Sequence, residues 1–263
     1  MTTHSIAEAF QARREAGQSA LVPYICAGHP SPEASLGLLH AAADAGADVI
    51  ELGIPFSDPL ADGPTIQKAT FDALAQGMTV QGAFGLLREF RRTRNTPVVL
   101  FTYLNPVVRM GVEKFTAEAR EAGAQGILLT DLPAGADSEI EAQVKASGLD
   151  LIRLLAPTTP PGRVPEVAEG ASGFLYYISR TGVTGARTEL RDGLAREVEA
   201  LRNAVQLPIA VGFGISTPEQ AAVVAGVADG VVVGSALVDA ASKGGVESAA
   251  VFLRALREAM DRR

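Results

Sequence analysis

The chain has 263 residues, 47% hydrophobic and 20% charged, the proportions of a folded globular protein and not of a disordered one. Asp and Glu (30) outnumber Lys and Arg (23), giving a net charge of −7, which argues against a nucleic-acid binder lacking a local basic stripe. One cysteine, Cys26, rules out an intrachain disulfide framework and a cysteine cluster for zinc.

The N-terminal residues 1–17 carry no basic region followed by an apolar run, so no secretory signal is expected. The most apolar stretch, 221–241, is interrupted by Asp229, Ser235 and Asp239 and by Gly226, Gly230 and Gly234. A membrane span would have to bury those acids, so the stretch reads as a core strand flanked by turns. The expectation is a cytoplasmic protein with neither membrane nor nucleic acid as partner.

Along the chain, short β-branched runs alternate with helical periodicity. Strands are predicted at 20–26, 49–52, 97–103, 126–129, 151–155, 174–178, 208–211 and 230–233. Helices are predicted at 35–45, 80–92, 115–122, 138–146, 190–204, 218–225 and 246–260. The long interval after the second strand leaves room for an extra helix at 65–76, and 6–16 makes another before the first strand. Ser216-Thr-Pro-Glu219 reads as a capping box, Ser31-Pro32 opens a helix, and Ala45-Gly46 closes one. Eight βα units without a linker or composition break predict one domain over 1–263. Its fold class is α/β, a (β/α)8 TIM barrel with extra helices at the N-terminus and after strand 2. An open doubly wound sheet is the structural alternative.

Barrel enzymes place their chemistry on the loops after the strands. The second of these, within Val49-Ile-Glu-Leu-Gly-Ile-Pro-Phe-Ser-Asp-Pro-Leu-Ala-Asp-Gly-Pro64, carries two acids of interest. Strand alternation points Val49 and Glu51 at the barrel axis and Ile50 and Leu52 at the helices. A carboxylate there is costly unless paired or functional, so Glu51 is a candidate acid/base with a raised pKa. Asp62 precedes Gly63-Pro64, and a turn there folds it back over the same pocket. The alternatives are a structural ion pair for Glu51 and an ordinary turn at Asp62-Gly63. Gly185, Gly212, Gly214 and Gly234-Ser235 follow the last three strands, where backbone N–H groups can hold a phosphate; each is also an ordinary turn glycine.

The segment Glu51–Ala69, ELGIPFSDPLADGPTIQKA, resembles the signature loop of the tryptophan synthase α subunit family. The resemblance continues in Val22-Pro-Tyr24, Tyr103-x-Asn105, Asp131-Leu-Pro133, Ser179-Arg-Thr-Gly-Val-Thr-Gly-Ala186, Gly212-Phe-Gly-Ile-Ser216 and Gly234-Ser235, in the family's order over essentially the whole chain. It implies retro-aldol cleavage of indole-3-glycerol phosphate to indole and glyceraldehyde 3-phosphate. Glu51 is then the general acid/base, and Asp62 accepts the indole N–H and stabilises positive charge in the ring. The resemblance places Tyr24, Phe101, Tyr103, Tyr176 and Phe213 near the substrate and Gly185, Gly214, Gly234 and Ser235 on its phosphate. The 179–191 loop becomes a lid whose Thr184 touches Asp62. No cofactor is implied on this chain. The implied partner is a β subunit carrying pyridoxal phosphate, joined in an α2β2 assembly and meeting the barrel at Phe56–Pro59 and the 131–134 loop.

Tyr24, Phe101 and His29 depart from the family's frequent phenylalanine, leucine and aspartate. His4, His29 and His40 read as structural or surface residues. Three alternatives remain: another phosphosugar enzyme on the same barrel, a non-enzymatic activator of a β subunit, and a stand-alone lyase that releases indole.

Overall fold

A computed structural model of the chain describes residues 5–179, 187–212 and 214–262. The strands are β1 (Ala20–Cys26), β2 (Ile50–Gly53), β3 (Val98–Thr102), β4 (Gly126–Leu129), β5 (Asp150–Leu155), β6 (Leu175–Ile178), β7 (Ile209–Gly212) and β8 (Gly230–Val233). All pair in parallel with their sequence neighbours, and β8 closes on β1, so the sheet is a closed barrel and not an open one. The helices are α1 (Ile6–Glu15), α2 (Pro32–Asp44), α3 (Pro64–Ala75), α4 (Val80–Arg91), α5 (Leu104–Met110), α6 (Val112–Ala122), α7 (Ser138–Ser147), α8 (Val164–Glu169), α9 (Arg187–Ala204), α10 (Pro218–Ala225) and α11 (Ser235–Asp261). The extra helices α1 and α3 stand where the sequence predicts them. Among the described residues no helix is long and apolar enough to cross a membrane.

Several elements differ from expectation for local reasons. The short α5 and α8 were not predicted; α5 ends at Gly111 with φ +90°, and α8 follows the proline-rich 3-10 turn Pro161–Arg163. The helix predicted at 246–260 is present as the second part of α11, preceded by an unpredicted helical stretch from Ser235 that meets it at a kink where Gly244 and Gly245 have non-helical dihedrals. At α10 the capping box is formed by Thr217 and Gln220, one residue on from the predicted Ser216 and Glu219. Ser31 caps α2 with Pro32 in its first turn, and Gly46 (φ +87°) follows its end, as read from sequence.

Side chains alternate along each strand between the barrel interior and the helix layer. Val22, Val49, Val99, Leu128, Ile152, Phe174, Ala210 and Val232 fill the interior, while Leu21, Ile50, Leu52 and Leu100 pack outward. Helix α1 closes the N-terminal end of the barrel with Ile6 and Phe10, and the Phe10 and Phe174 rings lie 5.3 Å apart. Glycines make room for this plug. A Cβ at Gly126 would stand 3.0 Å from Ile6 Cδ1, and one at Gly230 would stand 3.0 Å from Phe10 Cε1.

A charged clasp holds the same end. Asp48, just before β2, accepts from Arg13 Nε of α1 at 2.6 Å, from the Leu21 amide at 2.8 Å and from Arg257 Nη1 of α11 at 3.3 Å. Arg257 also donates to the Ser19 carbonyl at 3.1 Å. Burial pushes the Asp48 carboxyl up, against the pull of the Leu21 amide and the Arg13 guanidinium. Removing one partner from such a buried set leaves charge uncompensated. Asp48→Ala is therefore expected to lower the unfolding free energy by about 3 kcal/mol, measured by urea denaturation. Asp48→Asn, which keeps an acceptor for Leu21, should lose less. A loss within experimental error for Asp48→Ala would show that the clasp does not hold the barrel floor.

Candidate active site

At the other end the barrel opens into a cavity of about 840 Å³. Its walls follow from strand alternation: Tyr24 from β1, Glu51 from β2, Phe101 from β3, Leu154 from β5, Tyr176 and Ile178 from β6, and Val232 from β8. Glu51 sits opposite Tyr24 in the β1–β2 register and is 1% exposed. Its Oε1 has no hydrogen-bond partner among the described residues. Burial alone pushes its carboxyl up to about 8, so it carries a proton at neutral pH. The structural ion pair considered for Glu51 is absent among the described residues.

Two tyrosines flank it, each lying over a glycine of the neighbouring strand. A Cβ at Gly53 would collide with Tyr24 Oη, and one at Gly212 with Tyr176 Oη. Burial raises both phenols, with the Glu51 charge adding to each. Tyr24 meets Phe101 edge-on with ring centroids 5.3 Å apart, so the two residues that depart from the family pattern form one wall.

Asp62 reaches the cavity from the loop between β2 and α3. The loop folds back on itself: the Asp62 amide donates to the Pro59 carbonyl at 3.1 Å, and Gln67 Nε2 of α3 donates to the Asp62 carbonyl at 2.9 Å. Tyr103 Oη donates to Asp62 Oδ2 at 3.0 Å and accepts from the Ala61 amide at 3.0 Å. Burial raises the Asp62 carboxyl, and the Tyr103 hydrogen bond opposes that rise. Tyr103 does not line the cavity itself; it stands behind Asp62, with its ring against Phe56 at 5.4 Å. Three carboxyls thus line one cavity: Glu51, sealed and with Oε1 unpartnered among the described residues, Asp62, hydrogen-bonded to Tyr103, and Asp239 of α11, paired with Lys243 at 2.6 Å.

After β7 and β8 the cavity is bounded by Gly214 (φ +76°), Gly234 and Ser235. Gly234 is the N-cap of α11, with no side-chain hydrogen bond covering that helix start. The described lining residues include neither Lys nor Arg. Thr184, Gly185 and Phe213, also singled out in the sequence, lie outside the described residues, as do Arg180 and His4. Sequence reasoning missed Thr130, Leu154, Ile178 and Val232 among the lining residues. Alternation within the predicted strands points Leu154, Ile178 and Val232 inward, and carried one residue past the fourth strand it adds Thr130.

His29 is buried under the first loop, with Nε2 2.8 Å from Ser242 Oγ of α11, a structural contact. His40 lies beside Phe90, ring centroids 5.4 Å apart. Among the described residues no group of three or more His, Cys, Asp or Glu could hold a metal ion.

A family model described as "Tryptophan synthase alpha chain" matches residues 10–261. The tryptophan synthase alpha chain of Acidiphilium cryptum is 48% identical, covering 91% of this chain and 87% of its own. That of Geobacter sulfurreducens is 47% identical over 97% of this chain and 98% of its own. Among solved structures, tryptophan synthase subunit alpha from Legionella pneumophila superposes with a TM-score of 0.90 at 38% identity, covering 98% of each chain. A structure of Mycobacterium tuberculosis tryptophan synthase does so with a TM-score of 0.90 at 33% identity, covering 100% of each. With its closed barrel and with Glu51 and Asp62 on its cavity, the chain belongs to the tryptophan synthase alpha chain family.

Proposed function

We propose that the chain is a single-domain cytoplasmic lyase that splits indole-3-glycerol phosphate into indole and glyceraldehyde 3-phosphate. The observation that carries the reading is Glu51: a carboxyl sealed in the cavity wall, protonated at neutral pH, with an oxygen that has no hydrogen-bond partner among the described residues. Its proton goes to carbon 3 of the indole ring, giving a cationic indolenine. The bond between that carbon and the glycerol chain then breaks, its electron pair returning to the ring. The adjacent hydroxyl becomes an aldehyde and gives its proton back to the Glu51 carboxylate, so one proton has moved from oxygen to carbon. Positioned acid–base groups of this kind contribute about 10² to 10⁴-fold.

Asp62 is the second participant. Its Tyr103 hydrogen bond favours the ionised form, which accepts the indole N–H and stabilises the indolenine cation. Tyr24, Phe101 and Tyr176 supply the apolar slot for the ring, and Tyr103 acts through Asp62. Gly214, Gly234 and Ser235 bind the phosphate with backbone N–H groups, a hydroxyl and the positive end of α11; this chain's resemblance to its family adds Gly185, Thr184 and Phe213. The product indole passes to a tryptophan synthase β subunit, which carries pyridoxal phosphate and condenses indole with L-serine, in an α2β2 assembly. Phe56–Pro59 and residues 131–134 meet it on the open face, where Leu60 (83% exposed) and Val108 (52% exposed) leave apolar surface uncovered.

Incubating the purified chain with indole-3-glycerol phosphate, with and without a β subunit, and measuring indole tests this reading. The expected result is slow release alone and faster turnover in the assembly. No indole under either condition overturns it, and full activity alone favours a stand-alone lyase. Glu51→Gln should lower kcat by at least 10²-fold while phosphate-ligand binding survives. Because the active form holds its proton until about pH 8, kcat/KM should fall above that pH in the wild type.

The same residue predicts a stability effect of opposite sense. With the folded pKa raised from 4.5 to about 8, Glu51 penalises folding increasingly as pH rises from the unfolded value through the folded one. Glu51→Gln escapes that penalty. It should unfold at higher urea than the wild type at pH 8 and show no such gain at pH 4.

A further inference from the structure

Strand β5 reads Asp-Leu-Ile-Arg-Leu-Leu, with a cation in the middle of an apolar run. Ile152 and Leu154 belong to the barrel interior, so Arg153 points outward under the helices, where it is 3% exposed. Its Nη2 lies 2.6 Å from Glu141 Oε1 of α7, and its Nη1 donates to the Leu132 carbonyl at 2.8 Å. Glu141 Oε1 also accepts the Gly135 amide at 2.8 Å. The pair therefore grips the loop between β4 and α7 at two points, residues 132 and 135.

A buried ion pair is a poor stabiliser, because desolvating both charges offsets their attraction. Its effect here is geometric. One residue before the gripped segment, Asp131 Oδ1 accepts the Leu104 amide at 2.6 Å, at the start of α5. The preceding residue is Tyr103, whose hydroxyl holds both Asp62 and the Ala61 amide. A hydrogen-bonded path thus runs from beneath the barrel wall to a cavity carboxylate.

We propose that Arg153, paired with Glu141, is a positioning residue for Asp62, holding the 131–135 loop so that Asp131 fixes the start of α5 and Tyr103 stays bonded to Asp62. The catalytic consequence rests on the lyase reading above, but the positioning itself does not. Misplacing Asp62 should lower kcat for indole release about tenfold or more while KM changes little, since the lost contact acts on charge that develops in the ring.

The test uses the full chain with Arg153→Met, Tyr103→Phe and the two combined. Arg153→Met/Glu141→Gln is the version without an orphaned buried carboxylate. NMR titration of the Asp62 carboxyl reads the link directly and needs no turnover. Tyr103→Phe removes the bond that opposes burial, so Asp62 should titrate at higher pH. The other ionisable groups that feel Asp62, Tyr24 and Cys26, are themselves held neutral by burial. Arg153→Met should move Asp62 in the same direction, and the combined variant no further than Tyr103→Phe. An unmoved Asp62 in folded Arg153 variants, or effects that add in the combination, overturns the proposal. So does loss of folding in both Arg153 variants, because the pair then serves the fold as a whole. A wild type that cleaves no indole-3-glycerol phosphate sinks the lyase reading alone.

Discussion

A side chain on an inward position of a closed parallel barrel has no route to water except along the barrel axis. Glu51 occupies such a position, and the rest of the molecule is arranged around keeping it dry. Below it the inner cluster of valines, Leu128, Ile152 and Phe174 leaves no path down, and α1 closes the floor. Beside it Tyr24 and Tyr176 fill the width of the barrel, which they can do only because Gly53 and Gly212 have no Cβ in the way. Opening any of these contacts would hydrate the carboxyl and return it toward its ordinary pKa.

The two ends of the barrel use charge in opposite ways. At the floor Asp48 is compensated by Arg13, Arg257 and a backbone amide, so it serves as a fixed acceptor joining both chain termini to β2. At the open end, among the described residues, Glu51 is left without compensation and Asp62 has a single phenolic donor. The difference between those two settings is what divides the labour of two chemically similar carboxyls. Strong partners make a carboxylate structural, none leaves it an acid, and one neutral donor pulls a half-buried one back toward the ionised form.

Much of this is legible in the sequence because strand alternation is a rule of geometry. The inward placement of Glu51 beside Val49 follows from a period of two, and the structure has it so. What escaped has physical causes. The resemblance places Tyr103 near the substrate but does not give its contacts: its ring turns toward Phe56 and its hydroxyl toward the loop, a choice set by tertiary contacts and not by strand phase. The first half of α11 was hidden by Gly244-Gly245, and with it the fact that a helix begins at Ser235 on the cavity. Arg153 was visible as a cation in an apolar strand, but its partners come from α7 and the loop before it, which no local pattern predicts.

The wall formed by Gly214, Gly234 and Ser235 completes the electrostatic logic. A phosphate held there, as proposed, needs positive potential, and a lysine or arginine would supply it most directly. Such a cation would also sit in the cavity that contains Glu51, and an unscreened positive charge there lowers a carboxyl pKa. The proposed acid would then be ionised at neutral pH and unable to give its proton. A helix start and glycine amides offer a way round this conflict, since their field is dipolar and fades within about a turn of the helix. The described lining of the cavity has helix start, glycines and a serine hydroxyl, and no side-chain cation. An anion can therefore be bound at the ends of β7 and β8 while Glu51 on β2 keeps its proton.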